Sequence, residues 1–314
     1  QPGLLAFASA DGLNWKQLQA EPVITKGAFD SQNNAFWSAS EQQYVCYFRV
    51  FLDGKRWIAR TTSKDFIHWS EPIDLELGGQ PREHLYTNQF DPYDRAPHIY
   101  LGLQTRYLPG RRVLTDEEAR RIGTTTKLNY VNDCTDILLA SARGGDNFQR
   151  TFMEALIRPG EDLQNWTSRA NYAARGIVQT GPRELSLYVK HHSGYPSNHV
   201  RRYVIRPDGF VSVQAPYAGG EFITKPFIFS GAKLSLNLAT SAVGGLFVEI
   251  QTPDGKPIEG FSQQDCREMI GDRIDQPVSW KNGADVSRLA GRPVQLRFVM
   301  KDADLYSLQF SGNE

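Results

Sequence analysis

The chain has 314 residues and a mass of 35.4 kDa, and its 35 basic and 35 acidic side chains give a formal net charge of zero. A chain of this length can bury the core of one large domain or of two medium ones. The balanced charge argues against a general nucleic-acid binder, which needs a basic surplus to neutralise phosphates. No apolar run approaches the roughly 20 residues that span a bilayer, so we expect no integral membrane protein.

The first residues lead directly into a predicted strand. Gln1 is not an initiator, and residues 3–9 carry the pattern of neither a signal peptide nor a transit peptide. We therefore expect the chain to be a processed product or a part of a longer polypeptide.

Short strands account for most of the predicted secondary structure. The runs 44–50 and 184–189 are rich in β-branched and aromatic residues and are bounded by turn residues. One helix is predicted from Asp116 to about Ile122, with Thr115 as its N-cap and Glu118 completing a capping box. One short helix among many strands indicates an all-β protein.

A turn motif of the form Ser-x-Asp-x-x-x-aromatic recurs along the chain. Residues 9–15 read SADGLNW and residues 63–69 read SKDFIHW, with looser copies at 141–148 and 162–166. The aspartate of such a turn can accept backbone N–H groups, so we interpret the motif as a structural device and not as an active site. The two best copies begin 54 residues apart, a length that suits a four-stranded blade of a β-propeller.

The pattern changes after residue 216. Residues 1–216 contain the blade-like strands, whereas residues 217–314 are typical of a β-sandwich. The predicted sandwich strands lie at 234–238, 246–250 and 294–300. Three to four blades fit into the first region, and a closed propeller needs at least about four. We expect an upstream propeller segment of the same protein, or a partner chain, to complete the ring.

Cysteine and histidine residues form no metal-binding pattern. The three cysteines are far apart in sequence and are interpreted as buried thiols: Cys46, Cys134 and Cys266. His191, His192 and His199 are close in sequence, but adjacent residues of a strand face opposite sides, so we expect exposed loop histidines. The sequence predicts no metal site and no cofactor.

Several stretches resemble an uncharacterised, family 32-like group of bacterial proteins that is common in planctomycetes. They are GAFDSQN at 27–33, EHLYTNQ at 83–89, RAPHIY at 95–100 and KDADLY at 301–306. The resemblance covers nearly the whole chain, and it extends more distantly to glycoside hydrolase families 32, 43, 62, 68 and 117. It implies a five-bladed β-propeller, whose N-terminal part precedes this chain, followed by a C-terminal β-sandwich.

The resemblance also implies where catalytic acids lie. In the characterised relatives an Asp, an Asp and a Glu occupy the inner strands of three consecutive blades, as nucleophile or base, transition-state stabiliser and general acid. The corresponding positions here are Asp30, Asp94 and Glu184, with Glu154 as the rival of Glu184. Paired carboxylates suit glycosidic cleavage, because one protonates the leaving oxygen while the other attacks or activates water.

Polar residues near the second acid are predicted to bind the substrate. They offer donors for sugar hydroxyls or for an acidic substituent. They are Tyr86, Asn88, Gln89, Arg95 and His98.

We therefore expect a secreted or periplasmic glycoside hydrolase. Its carbohydrate substrate would be a plant or algal polysaccharide or oligosaccharide, cleaved from the chain end. Two alternatives stay open: a non-catalytic carbohydrate-binding protein of the same architecture, and a structural or interaction propeller whose channel is unused.

Overall fold

The computed structural model describes residues 2–124, 128–145 and 147–312. These residues form an all-β protein, as the sequence predicts, with one α-helix and three 3-10 helices among twenty strands. The chain divides into two compact units, one of Gln1–Val178 and Ser186–Tyr203 and the other of Gln179–Leu185 and Val204–Glu314. The domain boundary expected between residues 216 and 217 stays a prediction.

Up to Ile205 the strands form one two-stranded sheet and three four-stranded sheets. The first sheet pairs β1 (Phe7–Ala8) with β2 (Lys16–Gln17). The second has the order β3 (Asn34–Ser38), β4 (Gln43–Leu52), β5 (Lys55–Ser63) and β6 (Ile73–Asp74). In the third, β7 (His84–Thr87) and β8 (Phe90–Tyr93) both pair with β9 (Ala96–Leu108), which also pairs with β10 (Cys134–Ala142). In the fourth, β13 (Glu184–His191) pairs with β11 (Tyr172–Ala173), β12 (Val178–Gly181) and β14 (His199–Ile205).

This succession of four-stranded sheets has the strand number that the spacing of the turn motifs predicts for propeller blades. A closed ring of five blades stays a prediction.

The recurring turns have the same hydrogen bonds in both of their best copies. Asp11 Oδ1 accepts from the backbone amides two and three residues later, both at 2.8 Å. Asp65 Oδ1 does the same at 2.9 and 2.8 Å. In each turn the following indole, of Trp15 or Trp69, donates to the carbonyl three residues back. The structural interpretation of these two turns is confirmed; Asp146 of the third copy lies outside the described residues.

The predicted helix is also confirmed, as α1 (Asp116–Arg121). Thr115 Oγ1 accepts from the Glu118 amide at 3.2 Å, and Glu118 Oε2 accepts from the Thr115 amide at 2.8 Å, which completes the capping box. No helix within the described ranges has the length and apolar character that crossing a membrane requires.

The second unit contains the longest strands. Six strands hydrogen-bond together, with β18 and β20 at their centre. They are β15 (Val213–Ala215), β16 (Gly220–Ile223), β17 (Phe227–Ile228), β18 (Lys233–Gln251), β19 (Asp272–Pro277) and β20 (Pro293–Ser311). A β-sandwich for this region stays a prediction.

The strands expected at 234–238 and 246–250 are in fact one strand, β18, with a register shift between Thr240 and Gly245. A Cβ atom on Gly244 would lie 2.3 Å from the Asp302 carbonyl oxygen. The two backbones approach too closely there for a side chain, so β18 continues past β20 through an irregularity instead of ending in a loop.

The core of the first unit is centred on Phe90. This side chain is fully buried, and its ring centroid lies 5.0 Å from that of Tyr47 and 4.1 Å from that of Phe148. Gly102 of β9 is paired directly with Phe90, and a Cβ atom on Gly102 would lie 2.1 Å from Phe90 Cε1. The phenyl ring therefore occupies the space that any side chain at position 102 would need.

Gly102→Ala should lower the free energy of unfolding by about 1–3 kcal/mol or more, because a close-packed core cannot absorb the added methyl group without strain. Urea denaturation of the purified chain measures the change. Gly220→Ala is the matched control, since Gly220 also lies in a strand but has no atom within 4 Å of its added Cβ. Equal stability of Gly102→Ala and the unsubstituted chain would contradict this account of the core.

Candidate functional site

Buried amide side chains of β3 and of the break between β7 and β8 connect the three four-stranded sheets. The Asn34 and Asn88 side chains hydrogen-bond to each other at 3.0 Å. Asn88 Nδ2 also donates to the Gln32 carbonyl at 3.1 Å. Gln89 Nε2 donates to the Ala173 carbonyl at 2.8 Å and to the Gln32 side chain. Asn34, Asn88 and Gln89 are at most 3 % exposed. Because water cannot reach these amides, their polar atoms are satisfied by hydrogen bonds within the protein.

A local break in the strand positions these amides. The pairing register with β9 shifts between Leu85 and Thr87, and Gln89 adopts a left-handed φ of 48°. Thr87 Oγ1 donates to Gln89 Oε1 at 2.9 Å, which leaves the Gln89 Nε2 group directed at its neighbours. The irregularity allows Asn88 and Gln89, adjacent in sequence, both to be buried.

Asp30 lies just before β3, close in sequence to Gln32 and Asn34, which take part in the amide hydrogen bonds. Its side chain is 79 % exposed, and its Oδ1 atom pairs with the guanidinium of Arg49, which is only 4 % exposed. Ser31 Oγ donates to the Tyr86 carbonyl at 2.9 Å, so the segment that carries Asp30 is attached to the segment that carries Tyr86. The Arg49 guanidinium lies 5.3 Å from the centroid of the Tyr86 ring.

Two tyrosines and two arginines pack around Tyr86; we call Arg49, Arg56, Tyr86, Tyr107 and Tyr172 the arginine–tyrosine cluster. The Arg56 guanidinium lies 4.5 Å from the Tyr107 ring centroid and 5.0 Å from that of Tyr86. The Tyr86 ring centroid is 5.7 Å from that of Tyr107 and 5.5 Å from that of Tyr172. The cluster combines positive charge with aromatic faces beside an exposed carboxylate.

Two tyrosines of the cluster are neutral at neutral pH. Burial and the hydrogen bond to Asp133 together raise the pKa of Tyr107 to about 12. Burial also holds the pKa of Tyr172 far above its usual value. Neither side chain therefore compensates the charge of Arg56.

Of the predicted substrate-binding residues, the structure brings Tyr86, Asn88 and Gln89 to the site next to Asp30. Tyr86 contributes a partly exposed ring, whereas Asn88 and Gln89 are buried and hydrogen-bonded to protein groups. The two amides therefore position the site and do not present their polar atoms to a ligand.

Asp94, Arg95 and His98 lie elsewhere. Asp94 and Arg95 form the exposed two-residue turn of the β8–β9 hairpin, between the paired residues Tyr93 and Ala96. His98 is exposed on β9. An aspartate is a common residue in a tight turn, which explains Asp94 without catalysis, and its expected place on an inner strand is wrong.

Glu154 and Glu184 lie in different surroundings. Glu154 is exposed in the segment between Gln149 and Ile157, which pairs with β10 on the side away from β9. Glu184 begins β13, which pairs with β11, β12 and β14, and belongs to the second unit. It accepts a hydrogen bond from Thr180 Oγ1 at 2.9 Å. The expected catalytic roles of both acids stay predictions.

A cavity of about 290 Å³ lies at the other end of β8. Asp91 and Asp94 contribute to its wall together with Gln89. Asp91 is bound by the Arg175 guanidinium through two contacts of 2.8 and 2.7 Å, so its charge is compensated. Asp94 is the exposed acid of this cavity, and β8 lies in the chain between Asp94 and Tyr86 of the cluster.

The arginines and two of the tyrosines of the cluster could not be singled out by the search for acids. The sequence does indicate the two arginines through the hairpin of β4 and β5, because its Asp53-Gly54 turn sets the pairing register of the two strands. This register pairs Phe51 with Arg56 directly and leaves Arg49 on the same face two residues earlier. An arginine that interrupts an otherwise apolar strand is the feature that could have indicated the site.

The expectation of exposed histidines is wrong for two of the three. His191 is 1 % and His192 is 8 % exposed. His191 Nδ1 lies 2.9 Å from Asn165 Oδ1, and His192 Nε2 lies 2.8 Å from Asp162 Oδ2. The 162–166 turn therefore covers these imidazoles with hydrogen-bonding groups. Within the described residues, no three or more His, Cys, Asp or Glu side chains are arranged to hold a metal ion.

His191 should make the protein less stable in acid. Burial, together with the charges of Arg201, His199 and His192 and against the charge of Asp162, lowers its pKa to about 4. The unfolded chain binds the proton from about pH 6.5 downward, so stability is lost as the pH falls from about 6.5 to about 4, by about 3 kcal/mol.

Thermal unfolding measured between pH 7 and pH 4 tests this expectation. His191→Gln should flatten the decline, and His68→Gln, at an exposed position, should not. A pH dependence that is identical in His191→Gln and the unsubstituted chain would contradict it.

Asn88→Ala should lower the free energy of unfolding by about 1–3 kcal/mol, because it leaves the buried Asn34 amide without its partner. Urea denaturation measures the effect, and Asn198→Ala, at an exposed position, serves as the control with a change below about 0.5 kcal/mol. An Asn88→Ala chain as stable as the control would show that the amides do not hold the sheets together.

No family model and no curated protein sequence matches the chain. Solved structures that it resembles include an N-acetylgalactosamine deacetylase from F. plautii, with 10% identity over 90% of this chain and a TM-score of 0.35. An α-L-arabinofuranosidase from Fusarium graminearum has 12% identity over 64% of this chain and a TM-score of 0.35. A family 32 β-fructofuranosidase from Bombyx mori has 12% identity over 99% of this chain, 73% coverage of its own chain and a TM-score of 0.35.

The chain spans 53% of the deacetylase and 66% of the arabinofuranosidase. Several of the similar structures are glycoside hydrolases. Similarity at this level carries no argument about the activity of this chain.

Proposed function

We propose that the protein is a glycoside hydrolase in which Asp30 is the carboxylate that faces the scissile bond. The observation that carries the proposal is the exposed Asp30 carboxylate, bound through Oδ1 to a buried arginine beside the ring of Tyr86. Arg49 fixes one carboxylate oxygen, and no described group donates a hydrogen bond to the other, Oδ2.

This arrangement suits one half of glycosidic cleavage. A carboxylate with one oxygen held and the other directed to solvent can attack the anomeric carbon or activate a water molecule. The neighbouring tyrosine offers an apolar face for a sugar ring and a hydroxyl that can donate to sugar oxygens. We propose the end of a plant or algal glycan as the substrate, in keeping with the family resemblance.

The proposal includes a secreted or periplasmic location, and an upstream propeller segment or partner chain that completes the ring. Both stay predictions.

One observation favours a second candidate, a carbohydrate-binding protein without catalysis. Cleavage needs a second acid to protonate the leaving oxygen. Among the described residues in contact with the cluster, that acid would have to be Asp133. Its oxygens accept from the Tyr107 hydroxyl at 2.6 Å and from the Gly110 amide at 2.9 Å. Both oxygens of Asp133 are thus occupied by protein donors and are not presented to a leaving oxygen, an arrangement that suits binding better than cleavage.

Asp30→Asn should reduce kcat by about 10²-fold or more on the glycan that the wild-type protein cleaves, because the amide can neither attack nor activate water. The fold should survive, since the Asn Oδ1 atom can still accept from Arg49. Activity and thermal stability are measured together on a panel of plant and algal glycans. Asp74→Asn is the control, because Asp74 is exposed on the outer strand β6.

The outcomes separate the two candidates. Cleavage by the wild type that Asp30→Asn retains at full rate would exclude the proposed role of Asp30. Glycan binding without release of any product by the wild type would establish the carbohydrate-binding alternative instead.

A further inference from the structure

Arg56 is a positive charge without an anionic partner. It lies on β5 opposite Phe51, and its guanidinium rests against the rings of Tyr86 and Tyr107. Within the described residues no carboxylate or carbonyl accepts a hydrogen bond from this guanidinium, and its Nε atom is shielded from solvent without a partner. A shielded N–H group without an acceptor is unfavourable, so the position has to be explained.

A second unpaired arginine lies nearby. Arg169 is exposed, has a left-handed φ of 68°, and lies 4.4 Å from the Tyr130 ring centroid with no ion pair to a described residue. Arg169 lies three residues before Tyr172 of the cluster. Burial raises the pKa of Tyr172, and the charges of Arg169 and Arg56 act against that rise.

The acids in contact with the cluster do not neutralise these two arginines. Asp30 is bound to Arg49, the most buried of the arginines. Asp133 accepts from the Tyr107 hydroxyl and the Gly110 amide. Because Asp30 and Asp133 have other partners, Arg56 and Arg169 are two cations that contact aromatic rings and no carboxylate. Such an environment attracts a negative ligand.

We propose that the arginine–tyrosine cluster binds a sugar that carries an anionic oxygen group, a carboxylate or a sulfate, and that Arg56 contacts this group. A guanidinium presents a planar pair of N–H donors that matches either oxyanion. The aromatic faces beside it provide the apolar contact for the ring of the same sugar. That the ligand is a sugar rests on the proposed function, whereas its negative charge rests on the unpaired arginines.

A purely structural role for Arg56 makes a different prediction. Cation–π contacts contribute about 0.5–2 kcal/mol, so Arg56 could serve only to attach the β4–β5 hairpin to the tyrosines. Its replacement would then lower the stability of the protein and change the affinity for charged and neutral sugars alike.

The test is calorimetric titration of the whole chain, with any upstream segment of its natural polypeptide included. The probes are trisaccharides of galacturonic, glucuronic and mannuronic acid, their carboxyl-reduced neutral counterparts, and a sulfated galactose trisaccharide. The uronic and sulfated arms distinguish a carboxylate from a sulfate. The variants are Arg56→Met and Arg169→Met, with Arg158→Met at an exposed position as the control.

We expect the wild type to bind at least one anionic probe at least about 10-fold more tightly than its neutral counterpart, with an affinity that falls as salt is added. Arg56→Met should lose about 10-fold or more for that probe and little for the neutral one, while Arg158→Met should lose nothing. If Arg56→Met does not fold, the same loss in the exposed variant Arg169→Met supports the proposal.

Equal affinity for charged and neutral probes, absence of binding to every anionic probe, or unchanged anion affinity in a folded Arg56→Met chain would overturn the inference. Where Arg56→Met does not fold, unchanged anion affinity in Arg169→Met would overturn it. Anion-selective binding without cleavage would leave it standing and remove only the hydrolase proposal. Cleavage of a neutral glycan without anion selectivity would remove the inference alone.

Discussion

The hydrogen bonds among Asn34, Asn88 and Gln89 are the constraint on which the candidate site depends. All three amides are buried; Asn34 on β3 bonds to Asn88, and Asn88 and Gln89, in the break between β7 and β8, donate to the carbonyls of Gln32 and Ala173. A buried amide without a partner costs about 1–3 kcal/mol, so the sheets cannot shift against each other without losing several such bonds together. This rigidity allows residues that are far apart in sequence, such as Asp30 and Tyr172, to take fixed places around Tyr86.

Electrostatics decides what such a fixed arrangement can bind. The Arg49 guanidinium is buried and its carboxylate partner is exposed, so the pair resembles neither a surface ion pair of negligible energy nor a fully buried one. The exposed Asp30 carboxylate is available to a ligand, while the buried Arg49 guanidinium holds that carboxylate in place. Arg56 lacks even this partner, and its contacts with tyrosine rings compensate only part of its charge. The site is thus positive and aromatic around one carboxylate.

The sequence predicts local structure better than the site. The capping box at Thr115 and the Asp turns at residues 11 and 65 are confirmed because their hydrogen bonds join residues two to four positions apart. The resemblance, and not the strand pattern, indicates Asp30, and the segment that carries it is attached to Tyr86 through Ser31. Asp94 lies in a turn and Glu154 in a bend, whereas Glu184 begins a strand, and a strand pattern does not state which strand of a sheet is innermost. The catalytic roles of these acids stay predictions. The two buried histidines were missed because their partners lie on a distant turn. Arg56 depends on cross-strand register, which the Asp53-Gly54 turn encodes but a search for acids overlooks.

The measurement that tests the account most directly is a crystal structure of the protein with a uronic or sulfated oligosaccharide bound. The account predicts a sugar ring against Tyr86, its anionic group within about 2.7–3.2 Å of the Arg56 guanidinium, and Asp30 Oδ2 facing the glycosidic bond. A ligand bound instead in the cavity walled by Asp91 and Asp94, with Arg56 and Asp30 untouched, would contradict it.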